Sequence, residues 1–125
     1  MPVWMAVALG GALGTLARYG VGLWARAQWP AFPVATLIVN VSGGLAMGFL
    51  GGCFLARPEW SPTWRLALMT GVLGGYTTFS AFSLETLLLW REGAVMVALA
   101  NIGLNLVLSL VACVLGFWLA RSALA

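Results

Sequence analysis

The residues able to do chemistry are few, and their types restrict what that chemistry can be. There is no His, no Asp and no Lys; Glu59, Glu85 and Glu92 are the only acids. A Ser-His-Asp triad, a Cys-His dyad and a His-based metal site are therefore excluded. Cys53 and Cys113 fall inside apolar runs and read as small buried hydrophobes. What remains is a set of neutral hydrogen-bonding groups and aromatic rings. Asn40 stands in Thr36-Leu-Ile-Val-Asn40-Val-Ser42-Gly-Gly44, on one helical face with Gly44 and Gly48, so it points into a helix bundle. Its amide has two N–H donors, which suits a small anion and equally suits a bond between helices. Asn101, Asn105 and Ser109 repeat at steps of four and make one polar stripe on an otherwise apolar helix. Such a stripe can replace an ion's water or tie helices together.

A second constellation is Gly71-Val-Leu-Gly74-Gly75-Tyr76-Thr77-Thr78-Phe79-Ser80-Ala-Phe82-Ser83-Leu-Glu85. Paired Gly followed by paired β-branched Thr predicts a weak point in a helix. A break there frees backbone carbonyls that need water, another helix or a cation. Phe79 and Phe82 share a face. Aromatic edges are positive, so the two rings can line the path of an anion without a full charge; by pattern alone they can equally be packing. Arg18 either snorkels to the membrane surface or places positive potential at a pore mouth. Glu85, one turn from a predicted helix end, is expected to pair with an Arg.

The elements that position these residues follow from composition. Hydrophobic residues make up 62% and charged residues 7% of the 125-residue chain, against a usual ~25% charged. Six Arg and three Glu cannot furnish a water-exposed surface. A soluble enzyme is excluded, and so is a nucleic-acid binder, which needs clustered Lys and Arg. The chain reads as an integral membrane protein with transport as its default function.

Four segments reach the ~20 apolar residues of a membrane span. They cover residues 2–25, 33–56, 63–90 and 94–120, a single all-α domain over 1–125 with its third helix broken mid-span. The connections carry Arg, Pro and Trp, and all seven Trp fall near span ends as an aromatic belt. The first segment lacks a basic start and contains Arg18, so it reads as a span and not as a cleaved signal. Gly10, Gly14 and Gly22, Gly44, Gly48 and Gly52, and Gly71 and Gly75 form small-residue rows expected to pack helices closely.

Loop Arg counts normally set orientation. Arg57, Arg65 and Arg121 fall on one face, Arg26 and Arg91 on the other. So slight a bias predicts insertion both ways, and two opposite copies can pair about a two-fold axis in the membrane.

Three stretches together resemble the small bacterial fluoride channels of the Fluc type. They are Gly10-Gly11-Ala12-Leu-Gly14-Thr-Leu-Ala-Arg18-Tyr19, Thr36-Leu37-Ile-Val-Asn40 with Gly43 and Gly44, and, most specifically, the segment from Gly74 to Glu85. The resemblance spans essentially the whole chain. It implies passive fluoride efflux across the cytoplasmic membrane by an antiparallel dual-topology homodimer with two pores. It implies a structural sodium ion at the two-fold, held by the carbonyls of Gly74 and Thr77. It also implies Phe79 and Phe82 edges toward fluoride, Asn40 lining the pore and Arg18 at a vestibule. In the fourth span the family often carries Tyr and then Ser where this chain has Asn101 and Asn105. The competing reading, a small four-span proton-coupled multidrug exporter, needs an acid in the first span, and none is present there.

Overall fold

A computed structural model describes residues 1–124. Among them there are helices and no strand. Helix α1 is Val3–Gln28 and α2 is Val34–Ala56. Helix α3 covers residues 62–76, starting as Pro62–Arg65, continuing as a π-helical stretch, Leu66–Leu73, and ending in Gly74–Tyr76. Helix α4 is Phe79–Arg91 and α5 is Val95–Ala123. Three of these, α1, α2 and α5, are long and apolar enough to cross a membrane alone. Neither α3 nor α4 reaches the ~20 residues of a span, but end to end they do. They occupy the third expected span, interrupted at Thr77 and Thr78.

The boundaries follow local chemistry. Pro62 opens α3 at a position where its missing N–H costs nothing. Between α4 and α5, Gly93 takes φ +84, a left-handed conformation that favours glycine. Its N–H donates to the Trp90 carbonyl at 3.1 Å, and the Ala94 N–H reaches back to Leu89 at 2.9 Å. That pair of bonds is a Schellman ending, and it turns the chain in three residues. Helices α1 and α5 extend about one turn past the spans expected at 2–25 and 94–120. Intrahelical hydrogen bonding tolerates the Arg and Gln or Ser of those last turns, which a hydropathy boundary trims.

Two close helix pairs build the bundle: α2 on α5, and α1 on α3. The glycine rows lie at their contacts. A Cβ on Gly48 would strike the backbone carbonyl of Cys113, and one on Gly116 that of Leu45. A Cβ on Gly14 would strike the Val72 carbonyl, and one on Gly75 would sit 2.6 Å from the Gly11 oxygen. Backbone therefore meets backbone, as small-residue rows predict. Gly22 departs from this: a Cβ there would meet only the Arg26 side chain.

Within the expected weak point of paired Gly and paired Thr, the opening falls on the threonines: Gly74 and Gly75 stay helical, and the chain opens at Thr77. Gly75 is needed for the approach of Gly11 and Thr15, and that packing holds its backbone in the helix. The outward faces carry Leu9, Leu13, Leu16, Leu110 and Val114, and all seven Trp are exposed. This is the surface of a multi-pass membrane protein.

Gly48→Ala should destabilise the fold by ~1–3 kcal/mol, the range for overpacking a filled contact. Gly103→Ala, with nothing within 4 Å of the new methyl, should be neutral or slightly stabilising. Thermal unfolding in detergent checks the pair; equal melting temperatures would show that the α2–α5 contact has slack.

Candidate functional site

At the break Thr77 (φ −86, ψ 159) and Thr78 (φ −153, ψ 118) are extended. The Thr77 N–H still donates to the Leu73 carbonyl at 3.0 Å, but both Thr78 backbone groups fall outside the helical ladder and need other partners. Asn40 supplies one from α2. Its Oδ1 accepts the Thr78 N–H at 2.9 Å, and its Nδ2 donates to the Thr78 carbonyl at 3.1 Å. One amide side chain thus satisfies both polar groups of one residue. Thr78 also caps α4, its Oγ1 accepting from the Ala81 N–H at 3.2 Å.

These diversions leave particular carbonyls free. The Gly74 carbonyl would ordinarily accept the Thr78 N–H, which has gone to Asn40. The Thr77 carbonyl would ordinarily accept the Ala81 N–H, which has gone to the Thr78 hydroxyl. Between them the Gly75 carbonyl accepts from Arg18 Nε at 3.1 Å. Arg18 is thus tied to the third span. Among the described residues no group of three His, Cys, Asp or Glu comes together. The oxygens near the break are backbone carbonyls and the hydroxyls of Thr77, Thr78 and Ser80, and those hydroxyls are engaged in hydrogen bonds.

From Asn40 a line of side-chain hydrogen bonds runs along α5. Asn40 Nδ2 donates to Asn105 Oδ1 at 3.0 Å, and Asn105 Nδ2 donates to Asn101 Oδ1 at 3.0 Å. Asn101 Nδ2 donates to Thr86 Oγ1 at 2.9 Å, and Thr86 donates to the Phe82 carbonyl at 2.8 Å. Asn101 and Asn105 are buried. Ser109, the next step of the stripe, has a buried hydroxyl oxygen without a protein partner. Its backbone carbonyl lies where a Gly44 side chain would be. The structure therefore brings Asn40, Asn101 and Asn105 into one network and sets Ser109 beside its α2 neighbour.

Phe79 and Phe82 meet edge to face, with ring centroids 5.3 Å apart and planes at 61°. Phe82 is buried at 7% exposure, and Phe79 is 72% exposed. The inner ring stands against the bundle, and the outer one faces whatever surrounds this chain.

An open cavity of about 670 Å³ enters from the membrane face that carries the first and third connections. Arg18, Arg26, Thr36, Glu85 and Glu92 line it, and Thr78 lies in its wall. The expected pairing of Glu85 with an Arg is not formed. Glu85 Oε1 accepts from the Thr36 hydroxyl at 2.6 Å, while Oε2 is buried without a partner. The hydroxyl across the gap from α2 is nearer than any guanidinium. The sequence marks Thr78 only as part of the weak point and Thr36 only within a motif, and it gives neither of them, nor Thr86, a role in the site. The available signal was spacing: Thr36 lies four before Asn40, and Thr86 four after Phe82.

The family model described as CrcB-like protein, Camphor Resistance (CrcB), matches residues 5–117. A protein of Saccharophagus degradans named fluoride-specific ion channel FluC is 49% identical over 113 residues, covering 90% of this chain and 84% of that one. A Sorangium cellulosum protein of the same name is 45% identical over 126 residues, covering 100% and 99%. One from Paracoccus denitrificans is 46% identical, covering 97% and 96%.

Proposed function

The chain belongs to the CrcB-like family, and from that premise we propose that it is a fluoride-selective channel of the cytoplasmic membrane, through which fluoride leaves the cell passively. The observation that carries this is a polar track inside an apolar bundle, built from neutral donors, in a chain similar over its whole length to proteins named fluoride-specific ion channels. Hydrogen fluoride crosses membranes uncharged and ionises inside, so the trapped anion needs its own exit. A membrane potential negative inside favours that exit by ~2.3 kcal/mol per charge per 100 mV. No reaction is catalysed.

In this reading Arg18 sits at the vestibule. Asn40, Asn105, Asn101 and Ser109 form the track, and the edges of Phe79 and Phe82 face the ion. Fluoride is small and strongly hydrated, so losing water is its main barrier. Neutral donors replace that water while binding weakly enough to let go. The Asn40 hydrogens are engaged with Thr78 and Asn105. An arriving ion exchanges one such bond for its own, which keeps the site shallow. Fluoride efflux from proteoliposomes, run beside chloride, tests the function; chloride moving as fast as fluoride would refute it. Asn40→Asp puts an acceptor where the ion needs a donor and should lower efflux roughly a hundredfold, the scale of ~3 kcal/mol for a lost donor and a left unpaired group. Wild-type efflux from a folded Asn40→Asp protein would remove Asn40 from the track.

We also propose an antiparallel dual-topology homodimer. The Arg count of three against two supports it, and so does the exposed Phe79 ring, which a second copy would cover. Reporter tags at the C-terminus should be found on both sides of the membrane, and tags on one side only would refute it.

The carbonyls of Gly74 and Thr77 fit a structural sodium ion, since their own helical amides are diverted. Both subunits' carbonyls would hold it, and its charge would balance dipoles otherwise left unpaired at membrane depth. Replacing sodium with a large inert cation should dissociate the dimer and stop efflux. An unchanged dimer and unchanged efflux would rule the ion out.

A further inference from the structure

Thr86 lies outside the track named so far, yet the track's hydrogen bonds end on it. A threonine hydroxyl has one proton to give. In Thr86 that proton goes to the Phe82 carbonyl at 2.8 Å. Its oxygen can then only accept, so the fully buried Asn101 must turn its N–H groups toward it, at 2.9 Å. The Asn101 carbonyl oxygen is left facing Asn105, whose Nδ2 donates to it at 3.0 Å and to the Asn101 backbone oxygen at 2.9 Å. The Asn105 Oδ1 in turn faces Asn40 and accepts from it at 3.0 Å. Asn40 has its own sense fixed by its two bonds to the Thr78 backbone. Each link has one direction, set at Asn101 by Thr86 and at Asn40 by Thr78.

We propose that Thr86 is a positioning residue: its oxygen holds the Asn101 amide with its N–H groups turned away from Asn105, and it ties α5 to the turn of α4 that carries Phe82. The relay also closes on the first turn of α4 from both sides. Asn40 holds Thr78 at its start, and Asn101 holds the Thr86 oxygen from α5, while Thr86 bonds the Phe82 carbonyl within α4. Phe79 and Phe82 ride on that turn. Asn105 is fixed by the Asn101 backbone oxygen and Asn40 by Thr78, so the relay near the break keeps its sense without Thr86. What the Thr86 hydroxyl supplies is, among the described residues, the one partner of the Asn101 N–H groups, and without it α5 loses its tie to α4. The consequence for fluoride rests on the function proposed above; the relay itself does not.

Two readouts on the purified chain separate these. Amide hydrogen exchange over residues 79–83 reports the clamp on α4, and fluoride efflux from proteoliposomes at matched amounts of folded protein reports its consequence. Thr86→Ser keeps the hydroxyl and should stay within about twofold of wild type in both. Thr86→Val should speed exchange roughly tenfold, confined to residues 79–83, and cut efflux roughly tenfold. Because Thr86→Val leaves a buried amide unpaired and can fail to fold, Thr86→Val with Asn101→Leu removes both partners together. This double variant should fold, with fast exchange at 79–83 and low efflux. Unchanged exchange in Thr86→Val, unchanged efflux in it, or recovered efflux in the double variant would each overturn the proposal and reduce the pair to packing. If the wild-type chain carries no fluoride, the functional reading falls alone. Exchange then decides: local acceleration supports the relay, and its absence overturns it.

Discussion

The structure turns on the rule that a backbone polar group inside a membrane must find a partner. Opening the third span at Thr77 and Thr78 frees several such groups at a depth where water is scarce, each costing several kcal/mol if left alone. Asn40 meets the demand of an entire residue with one amide. Its position on α2, the side of the bundle that faces the break, follows from this. So does the cap supplied by Thr78 itself. Once these bonds are made, the carbonyls left over are a small, defined set, and Arg18 takes one of them. The break is therefore a built feature with its own hydrogen-bond economy.

That economy works only if the helices stand close. An asparagine side chain is short, and the Asn40–Thr78 and Asn40–Asn105 bonds require α2 to approach both α4 and α5. The glycine contacts supply the α2–α5 approach: Gly48 under Cys113 and Gly116 under Leu45 bring backbone against backbone. The α1–α3 contact does the same for Arg18, setting its guanidinium within reach of Gly75. Packing and polar chemistry are thus one construction. Widening a helix pair by the thickness of a methyl lengthens every polar bond that crosses it.

Much of this was legible in the sequence, and for physical reasons. Apolar length fixes spans, because a bilayer sets a minimum. Small residues at steps of four announce close helix contact, because nothing else lets backbones touch. Asn40 and the Asn101–Asn105 stripe stand out because amides are rare in spans. Other features were not legible. The π-helical stretch Leu66–Leu73 carries no periodicity that differs from an α-helix of the same apolar residues. Where within the Gly-Gly-Tyr-Thr-Thr weak point the chain would open was not legible either, because Gly75 is held helical by packing on α1, and packing has no local signature. Glu85 took Thr36 in place of an Arg because two helices bring them together, and their separation in sequence gives no hint of it. Thr86 looked like any threonine on a helix, whose hydroxyl usually does no more than bond its own backbone.

The neutrality of the proposed track has a cost that the rest of the proposed site would have to offset. Burying an isolated ion in a low-dielectric medium costs tens of kcal/mol by idealised solvation. A neutral hydrogen bond returns only ~0.5–1.5 kcal/mol net. Asn40, Asn105 and Ser109 alone cannot hold an anion against water. They do not have to, because a channel needs a low barrier and not a deep well. In the proposed path the open cavity reaches Thr78, so the dry part would be short. Arg18, tied to the Gly75 carbonyl, would lend positive potential at the entry. Phe82, buried and in a T-shaped contact with Phe79, would add a weak positive rim. On the proposed track these small terms would combine into a nearly level profile, whereas one full charge would turn that profile into a trap.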